Sequence, residues 1–263
     1  MKIHVLAENT TCSAELVAEH GLSLLIETNG QRLLFDTGAS GAFADNAERL
    51  GLDLQQVDAA VLSHGHYDHG GGLERFLSLN SQAPVYVSPH AFEPHFNAAG
   101  KNIGLSHTPA DHPRIRRVHD NEFRLAAGIT LHRALDMPPT YPPAGEGMSS
   151  IVNGERVADD FRHEQYLLVE EAGKRVLVSG CSHRGVLNIA TYFRPDVLVG
   201  GFHFMKAAPI RDADRLLHAA DILQQLPTRY YTGHCTGEAA EKILATRLGD
   251  RLQHLHTGLC VEL

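Results

Sequence analysis

The chain has 263 residues, of which 43% are hydrophobic and 21% charged, a composition typical of a globular protein with a substantial core. Its net charge of −8 argues against a nucleic-acid surface, because phosphate backbones are bound by an excess of Lys and Arg. No signal-peptide pattern, no membrane-length apolar window of about 20 residues and only scattered cysteines are found, which favours a reduced, cytoplasmic protein.

The first half predicts strands and helices in alternation. Lys2–Leu6 alternates apolar and polar residues and predicts a strand. Leu22–Thr28 and Gln31–Phe35 flank the turn dipeptide Asn29-Gly30, so they predict a β-hairpin. Further elements are expected as a helix at 41–50, a strand at 59–62, a helix at 73–79, a strand at 84–88 and two strand segments within 122–133.

The second half repeats this rhythm. A hairpin is predicted over 166–178, followed by a helix at 185–193, a strand at 197–199, a helix at 211–225, a strand at 230–232, a helix at 238–248 and a strand at 252–255. Between the halves, the segment at about 89–150 is irregular. Its proline-rich and glycine-rich part at 136–150 cannot form a regular element, and we favour a loop that covers a substrate over a domain linker.

Polar side chains of the same types recur just after the predicted strands. They are Asp36, the segment His64–His69, His183, His203 and His234. Ligand sites of open α/β sheets lie outside the carboxyl ends of the strands. The pattern therefore predicts one composite site at one edge of the sheets.

The segment after the strand at 59–62 has the strongest chemical signal. Three imidazoles and a carboxylate fall within six residues, at His64, His66, Asp68 and His69. Alternate side chains of an extended backbone point to one side. One ion cannot take all four ligands from so short a loop, whereas two adjacent ions can. Gly65 and the following glycines allow the backbone to turn tightly around them.

The pattern His64-x-His66-x-Asp68-His69 resembles the metal-binding motif of the metallo-β-lactamase superfamily. The segment Leu33–Gly38 before it and the distant single histidines after it add to the resemblance. The resemblance implies an α/β fold, a four-layer αββα sandwich with mixed sheets, as a single domain over 1–263. Five stretches resemble a narrower group of metal-dependent hydrolases that includes archaeal dihydropterin-ribofuranosyl-aminobenzene phosphate synthases, and these are residues 7–11, 18–23, 180–185, 200–203 and 233–237.

The resemblance also implies the roles of individual residues. The first metal would be bound by His64, His66 and His183, and the second by Asp68, His69 and His234. Asp36 would support the metal loop through hydrogen bonds. The superfamily often has a bridging carboxylate where this chain has Gly180–His183. Either Cys181 is a ligand there, or His183 is and only water or hydroxide bridges the ions; we favour His183.

Other polar residues are weaker candidates. His203 lines the pocket, where it offers a proton or binds an anion, or else it is a buried structural histidine. Arg184 is a candidate anion contact. For His90 and Tyr67 a structural role is favoured over a functional one. Four histidines in polar surroundings are expected to face solvent, namely His107, His112, His119 and His163.

These assignments predict a hydrolase that acts on a phosphoester or ester-type small molecule through a metal-activated water, with Asp68 orienting the water and His203 against the substrate. Two divalent ions are expected, zinc foremost, with manganese or iron as alternatives. The alternatives are a pterin-related, dihydropteroate-synthase-like transferase and a metal-containing small-molecule sensor. The expected partner is an anionic small molecule, without nucleic acid or membrane, and the oligomeric state stays open.

Overall fold

The computed structural model describes residues 1–105, 110–208 and 210–263. The strands in these ranges are β1 (Lys2–Ala7), β2 (Ser23–Thr28), β3 (Gln31–Phe35), β4 (Ala59–Val61), β5 (Val85–Val87), β6 (His95–Phe96), β7 (Ile115–Arg117), β8 (Glu122–Ala126), β9 (Ile129–His132), β10 (Ser149–Val152), β11 (Glu155–Ala158), β12 (Tyr166–Glu171), β13 (Lys174–Val178), β14 (Val197–Val199), β15 (Arg229–Thr232), β16 (Leu252–His254) and β17 (Cys260–Glu262). The helices are α1 (Ala42–Arg49), α2 (Tyr67–Gly70), α3 (Leu73–Leu79), α4 (Val186–Phe193), α5 (Ala213–Gln224) and α6 (Glu238–Leu248).

Two mixed seven-stranded sheets form the centre of the fold. The first has the order β17-β1-β2-β3-β4-β5-β7 and the second β16-β15-β14-β13-β12-β9-β8. In each sheet three antiparallel pairings adjoin three parallel ones. A third, small antiparallel sheet has the order β11-β10-β6.

The large sheets pack face to face, and helices cover their outer faces. One buried cluster joins Val5 and Phe35 of the first sheet to Leu131 and Val178 of the second. A second cluster joins the first sheet to α1 and α3, and a third joins the second sheet to α4, α5 and α6. Burial of both faces explains why strands such as β2, β12 and β14 contain apolar runs without alternation. The predicted four-layer αββα sandwich is confirmed.

The pairing brings several strand ends to one edge. β1, β3 and β4 run in the same direction in the first sheet, so Ala7, Phe35 and Val61 end at that edge. In the second sheet β13, β14 and β15 are parallel, whereas β12 is antiparallel to β13. The start of β12 therefore lies at the same edge as the end of β13. Polar loops from several strands meet at this edge.

Most predicted elements are present, and the differences fall in the short strands. Both predicted hairpins are formed, by β2 and β3 around Asn29-Gly30 and by β12 and β13. The segment at 89–150 was predicted to be irregular, but it contains β6 and β7 and the start of β10. These strands have only two to four residues, too few to show a periodic pattern. Within the described ranges, no helix combines the length and apolar character needed to cross a bilayer.

Asn46 in α1 fixes the loop that follows β1. Its Nδ2 donates to the carbonyl oxygens of Leu6 and Val17, both at 2.8 Å, and its Oδ1 accepts from Val17 N at 2.9 Å. The side chain is fully buried. The loop positioned in this way carries Asn9 and His20.

We therefore expect Asn46→Ala to lower the free energy of unfolding by about 3 kcal/mol, because it leaves buried backbone groups without partners. Urea unfolding followed by circular dichroism measures the change. Asp45→Ala on the exposed face of the same helix is the control; Asp45 has only a distant ion pair, 3.9 Å from Arg75, so its loss should cost less than about 1 kcal/mol. Equal stabilities of the two variants would contradict this role for Asn46.

Candidate metal centre

Asp36, directly after β3, anchors the loop that follows β4. Its Oδ1 accepts a hydrogen bond from Ser63 N at 2.7 Å, and its Oδ2 accepts from Ser63 Oγ and His69 Nδ1, each at 2.7 Å. The side chain is buried. Its backbone has a φ of +60°, a conformation that Asp tolerates better than most residues. One carboxylate thus fixes both ends of the histidine-rich segment.

Three imidazoles converge beside this loop, and we call them the first site: His64, His66 and His183. Their ligand nitrogens lie within 4.8 Å of one another. Nε2 of His64, Nε2 of His66 and both ring nitrogens of His183 are buried and have no hydrogen-bond partner among the described residues. Buried polar atoms are nearly always paired. A cluster of unpaired imidazole nitrogens is therefore the environment expected around a cation.

The hydrogen bonds of His64 determine which of its nitrogens carries the proton. Ser63 Oγ donates its own proton to Asp36, so it accepts from His64 Nδ1 at 2.8 Å. His64 Nε2 is then left with a free lone pair, as metal coordination requires. Burial, followed by the neighbouring imidazoles, lowers the pKa of His64 well below its usual range, so the ring is neutral.

His183 is held from two sides. Its backbone N–H donates to Glu164 Oε1 at 2.7 Å, and Tyr166 donates its hydroxyl proton to Glu164 Oε2 at 2.7 Å. Phe161 stacks on the imidazole with ring centroids 4.9 Å apart. Burial lowers the pKa of His183 well below its usual range. His183 is therefore a neutral, oriented ring.

The second site comprises Asp68, His69 and His234. His69 Nδ1 donates to Asp36, and His234 Nδ1 donates to Asn9 Oδ1 at 2.9 Å. Both rings therefore present a bare Nε2, and these two nitrogens are 3.1 Å apart. Two lone pairs at this distance repel unless a proton or a cation lies between them. Burial opposes protonation of His69, but Asp36 raises the pKa of His69 overall, so a metal ion would replace a proton here.

Asp68 supplies negative charge to the second site. Its Oδ2 is 3.5 Å from His234 Nε2 and 3.2 Å from Nε2 of His20. Burial opposes its ionisation, but the adjoining rings of His20 and His234 hold the pKa of Asp68 well below its usual range. An ionised carboxylate and two imidazoles are ligands that zinc, manganese and iron all accept. The residues of both sites therefore fit divalent ions.

Cys181 lies between the two sites. Its Sγ is 3.2 Å from His69 Nε2, and its thiol falls into one ligand group with His64 and His69 and into another with His234 and Cys235. Burial, then the neighbouring Cys235, raises the pKa of the Cys181 thiol well above its usual range. His183 and Cys181 are thus both within reach of the sites, although the sequence presented them as alternatives.

His203 borders the first site. Its ring centroid is 4.4 Å from that of His183. Burial, followed by the charge of Lys206, lowers the pKa of His203 to about 4. The ring is therefore neutral near pH 7. The proline-rich loop adjoins the same region, because Ala144 N donates to the carbonyl oxygen of His183 at 2.7 Å.

Three predicted candidates lie outside this cluster of ligands. Arg184 Nη1 donates to the carbonyl oxygens of Arg133 and Ala134, at 3.0 and 2.7 Å, so its guanidinium is engaged with backbone. His90 Nδ1 is paired with Glu93 Oε1 at 2.9 Å. The Tyr67 side chain is 39% exposed beside the metal loop.

The prediction that His163 faces solvent is wrong. His163 is fully buried, and its Nδ1 accepts from Gly65 N at 2.9 Å, inside the metal loop. Asp159 Oδ2 lies 3.0 Å from His95 Nδ1 and 3.5 Å from His163 Nε2. The error arose because the polar residues around His163 in sequence are not its neighbours in space. Of the other three, His119 is exposed, His112 is half-buried and His107 lies outside the described residues.

His66, His95, Asp159 and His163 also form a group with metal-ligand spacing. Hydrogen bonds pair Asp159 with His95 and His163 with Gly65, whereas Nε2 of His66 and Nε2 of His163 have no hydrogen-bond partner among the described residues. Because His163 Nδ1 accepts from Gly65, the proton of the neutral ring is on Nε2, which faces Asp159. His95 Nε2 lies 3.3 Å from the carbonyl oxygen of His90 and its Nδ1 faces Asp159. His95, Asp159 and His163 thus form a buried polar support for the metal loop.

Sequence reasoning missed several supporting residues. Glu8 Oε1 accepts from His234 N at 2.5 Å, and Asn9 orients the His234 ring; both follow β1 directly, so the rule of polar residues after strand ends could have found them. Glu164 precedes a strand, and only the antiparallel pairing of β12 brings it to this edge. His20 follows no strand; it lies in one of the stretches that carry the family resemblance, residues 18–23, but no periodic pattern indicates its position.

The comparisons agree with this geometry. A family profile described as “Metallo-beta-lactamase superfamily” matches residues 16–158. The chain is 30% identical to the 7,8-dihydropterin-6-methyl-4-(beta-D-ribofuranosyl)-aminobenzene-5'-phosphate synthase of Methanocaldococcus jannaschii, covering 100% of this chain and 96% of the relative. It is similar to a crystal structure of a metal-dependent hydrolase of the β-lactamase superfamily, with TM-score 0.82, 29% identity, and coverage of 100% and 99%.

A likeness to Zn²⁺-bound PqqB from Methylobacterium extorquens, with TM-score 0.59, 15% identity and full coverage of both chains, shows the fold alone.

We expect Asp36→Asn to weaken metal binding by about 10-fold to 100-fold. The amide NH₂ that replaces one carboxylate oxygen cannot accept, so at least one of the three donors from Ser63 and His69 loses its partner. Competition with a chromogenic chelator measures the affinity. Asn also tolerates the positive φ of this position. Asp58→Asn is the control, since Asp58 is exposed and accepts only from backbone N–H of Arg32 in β3. Unchanged affinity in Asp36→Asn would rule out this anchoring role.

Asp159→Asn tests the buried support. Burial opposes ionisation of Asp159, but His163 and His95 hold its pKa well below its usual range. Its carboxylate thus stabilises the fold above the unfolded-state pKa of about 3.9 and loses this effect as pH falls below that value. We expect the metal-free variant to lose about 3 kcal/mol at pH 7, with the difference shrinking below pH of about 4.

Urea unfolding at several pH values measures this difference. The neighbouring Asp160→Asn is the control, because Asp160 is exposed and accepts only from Arg162 N; its effect should stay below about 0.5 kcal/mol. A loss in Asp159→Asn that does not depend on pH would contradict the assigned charge.

Proposed function

The chain belongs to the metallo-β-lactamase superfamily, and we propose that it is a metal-dependent hydrolase of an anionic phosphoester or ester-type small molecule. Superfamily membership and the names of the relatives indicate a metal-dependent enzyme. The observation that carries the proposal is the pair of adjoining donor groups with unpartnered or mutually repelling imidazole nitrogens. Two divalent ions would lower the pKa of a shared water and stabilise negative charge developing on a substrate.

In this proposal the protein contributes fixed geometry and charge. His64, His66 and His183 are neutral ligands of the first ion, and Asp68, His69 and His234 are ligands of the second. Asp68 remains ionised near pH 7 and can orient the proton of an attacking water. His203, neutral at the same pH, can accept or donate a hydrogen bond at the substrate but does not act as a cation. Asp36 and Asn9 fix the tautomers.

An anionic substrate fits the charge of the site. The six proposed ligands bring one negative charge against four positive charges of two divalent ions, so the loaded site attracts anions. Lys206 is close enough to lower the pKa of His203 and adds to this field. The loop at 136–148 packs against His183 through Ala144, which supports its assignment as the cover of the substrate.

A pterin-linked transferase is the second candidate. The observation in its favour is the match over the whole chain to the M. jannaschii synthase. In this reaction the metal ions would help a phosphate group to leave while an amine attacks, and the same donor geometry would serve. The two candidates differ in the nucleophile that is admitted, water or an amine.

We also propose that residues 1–263 act as one domain in the cytoplasm. The inter-sheet core contains side chains from both halves of the chain, and the C-terminal β17 pairs with β1. All four cysteines are free thiols, in keeping with a reducing compartment.

Metal content and substrate class test the function together. Protein purified without added metal should contain two equivalents of divalent metal by elemental analysis and should hydrolyse chromogenic phosphodiesters or esters. Removal of the metal should abolish this activity. We expect His64→Ala to lower kcat by about 100-fold or more, because one metal ligand is lost, whereas His119→Ala, at an exposed histidine, should match the wild type.

Two other outcomes would change the assignment. Turnover of a pterin pyrophosphate with an aminobenzene acceptor, without ester hydrolysis, would replace the hydrolase by the transferase. A protein that binds neither zinc, manganese nor iron would overturn both.

A further inference from the structure

We propose that the Cys181 thiolate bridges the two metal ions, in the position where related sites carry a carboxylate. The inference rests on the proposed function, since it requires both ions to be bound. It makes Cys181 and His183 ligands at the same time, with His183 on the first ion and Cys181 shared between the two.

The position of the thiol supports a bridge. Cys181 follows β13 by three residues and its side chain is 3% exposed. The thiol is grouped with His64 of the first site and His69 of the second, with all ligand atoms within 4.8 Å of one another. It is also grouped with His234. No other described cysteine has ligand atoms of both sites around it in this way.

A second observation points independently to an ion at this place. His64 Nε2, in the same group as the thiol, is fully buried and has no hydrogen-bond partner among the described residues. A purely structural cysteine would explain the contact of Cys181 Sγ with His69 Nε2 at 3.2 Å, because a thiol can donate there. The unpaired His64 nitrogen, a proposed ligand of the first ion, places that ion beside the same sulfur.

Charge balance favours a further anionic ligand. Three buried carboxylates nearby are already committed: Asp36 accepts from Ser63 and His69, Glu164 accepts from Tyr166 and from the backbone of His183, and Glu8 accepts from the backbone of His234 and from Thr10. Asp68 is then the only anion in the proposed ligand set for two divalent ions. A thiolate would supply the missing negative charge, since a coordinating thiol loses its proton.

The binding step conserves charge and atoms. The S–H bond of Cys181 breaks, its proton passes to solvent, and the sulfur electron pairs form one bond to each metal ion. Thiolate ligands favour zinc and iron over manganese. A bridging sulfur would therefore shift the preference of the site away from manganese.

Cys235 is a matched control. It is buried to a similar degree, with 1% exposure, but its Sγ lies 3.6 Å from the Cys181 carbonyl oxygen, to which it donates. Its ligand group contains Cys181 and His234 but no histidine of the first site. Ser replaces Cys in both variants with little change in volume. Differences between Cys181→Ser and Cys235→Ser thus report on the bridge.

Cobalt substitution tests the proposal without reference to activity. Metal-free wild type titrated with Co²⁺ should develop a near-ultraviolet thiolate-to-cobalt charge-transfer band that grows over both equivalents. Cys235→Ser should keep the band. Cys181→Ser should lose it and bind Co²⁺ at least about 10-fold more weakly, the smallest loss typical even for supporting residues of metal sites. Circular dichroism verifies that each variant is folded.

Cadmium NMR of the wild type distinguishes a bridge from a terminal ligand and remains informative if Cys181→Ser does not fold. A bridging thiolate shifts both cadmium resonances into the sulfur-ligated range, whereas a terminal one shifts a single resonance and overturns the bridge. Two bound cobalt ions without a charge-transfer band, or a band that persists in Cys181→Ser, would also overturn it while leaving the metal enzyme intact. A wild type that binds no cobalt would defeat both proposals.

Discussion

The carboxylate of Asp36 is the constraint on which the proposed metal centre depends. It accepts three hydrogen bonds, two from Ser63 and one from His69. These hydrogen bonds fix the tautomers of two rings, that of His69 directly and that of His64 through Ser63. In both rings Nδ1 carries the proton and Nε2 is free. An imidazole binds a metal only through an unprotonated nitrogen. One buried anion therefore prepares one ligand on each side of the centre.

The sandwich explains how such distant residues meet. Each large sheet combines antiparallel and parallel pairings. The shared edge therefore holds residues that follow the ends of some strands and residues that precede the starts of others. Gly180 illustrates how closely they approach, because a Cβ there would lie 2.2 Å from Ser63 Oγ. The close contact of the two sheets at this edge brings His183 beside His64.

Local patterns in the sequence were sufficient for most strands and helices and for a single composite site at the strand ends, whereas the four layers and the assignment of the distant histidines came from the family resemblance. Apolar runs indicate buried strands, and imidazoles that follow them converge wherever the strands are parallel. The buried positions of His163, His95 and Asp159 were not predicted. Their contacts depend on the antiparallel pairing of β12 and on very short strands, which the sequence pattern does not show. His20 was not predicted for a related reason: it reaches Asp68 from an irregular loop that Asn46 and Asn9 hold. Tertiary contacts of this kind leave no periodic trace.

The link between His234 and the loop after β1 has a consequence for the order of events during synthesis. Glu8 and Asn9 hold a residue more than two hundred positions further along the chain. Contacts of such separation form late, because a long loop must close first. A nascent chain exposes the histidine-rich loop well before His234 has been made. Loading of both proposed sites therefore has to wait until His234 has been synthesised.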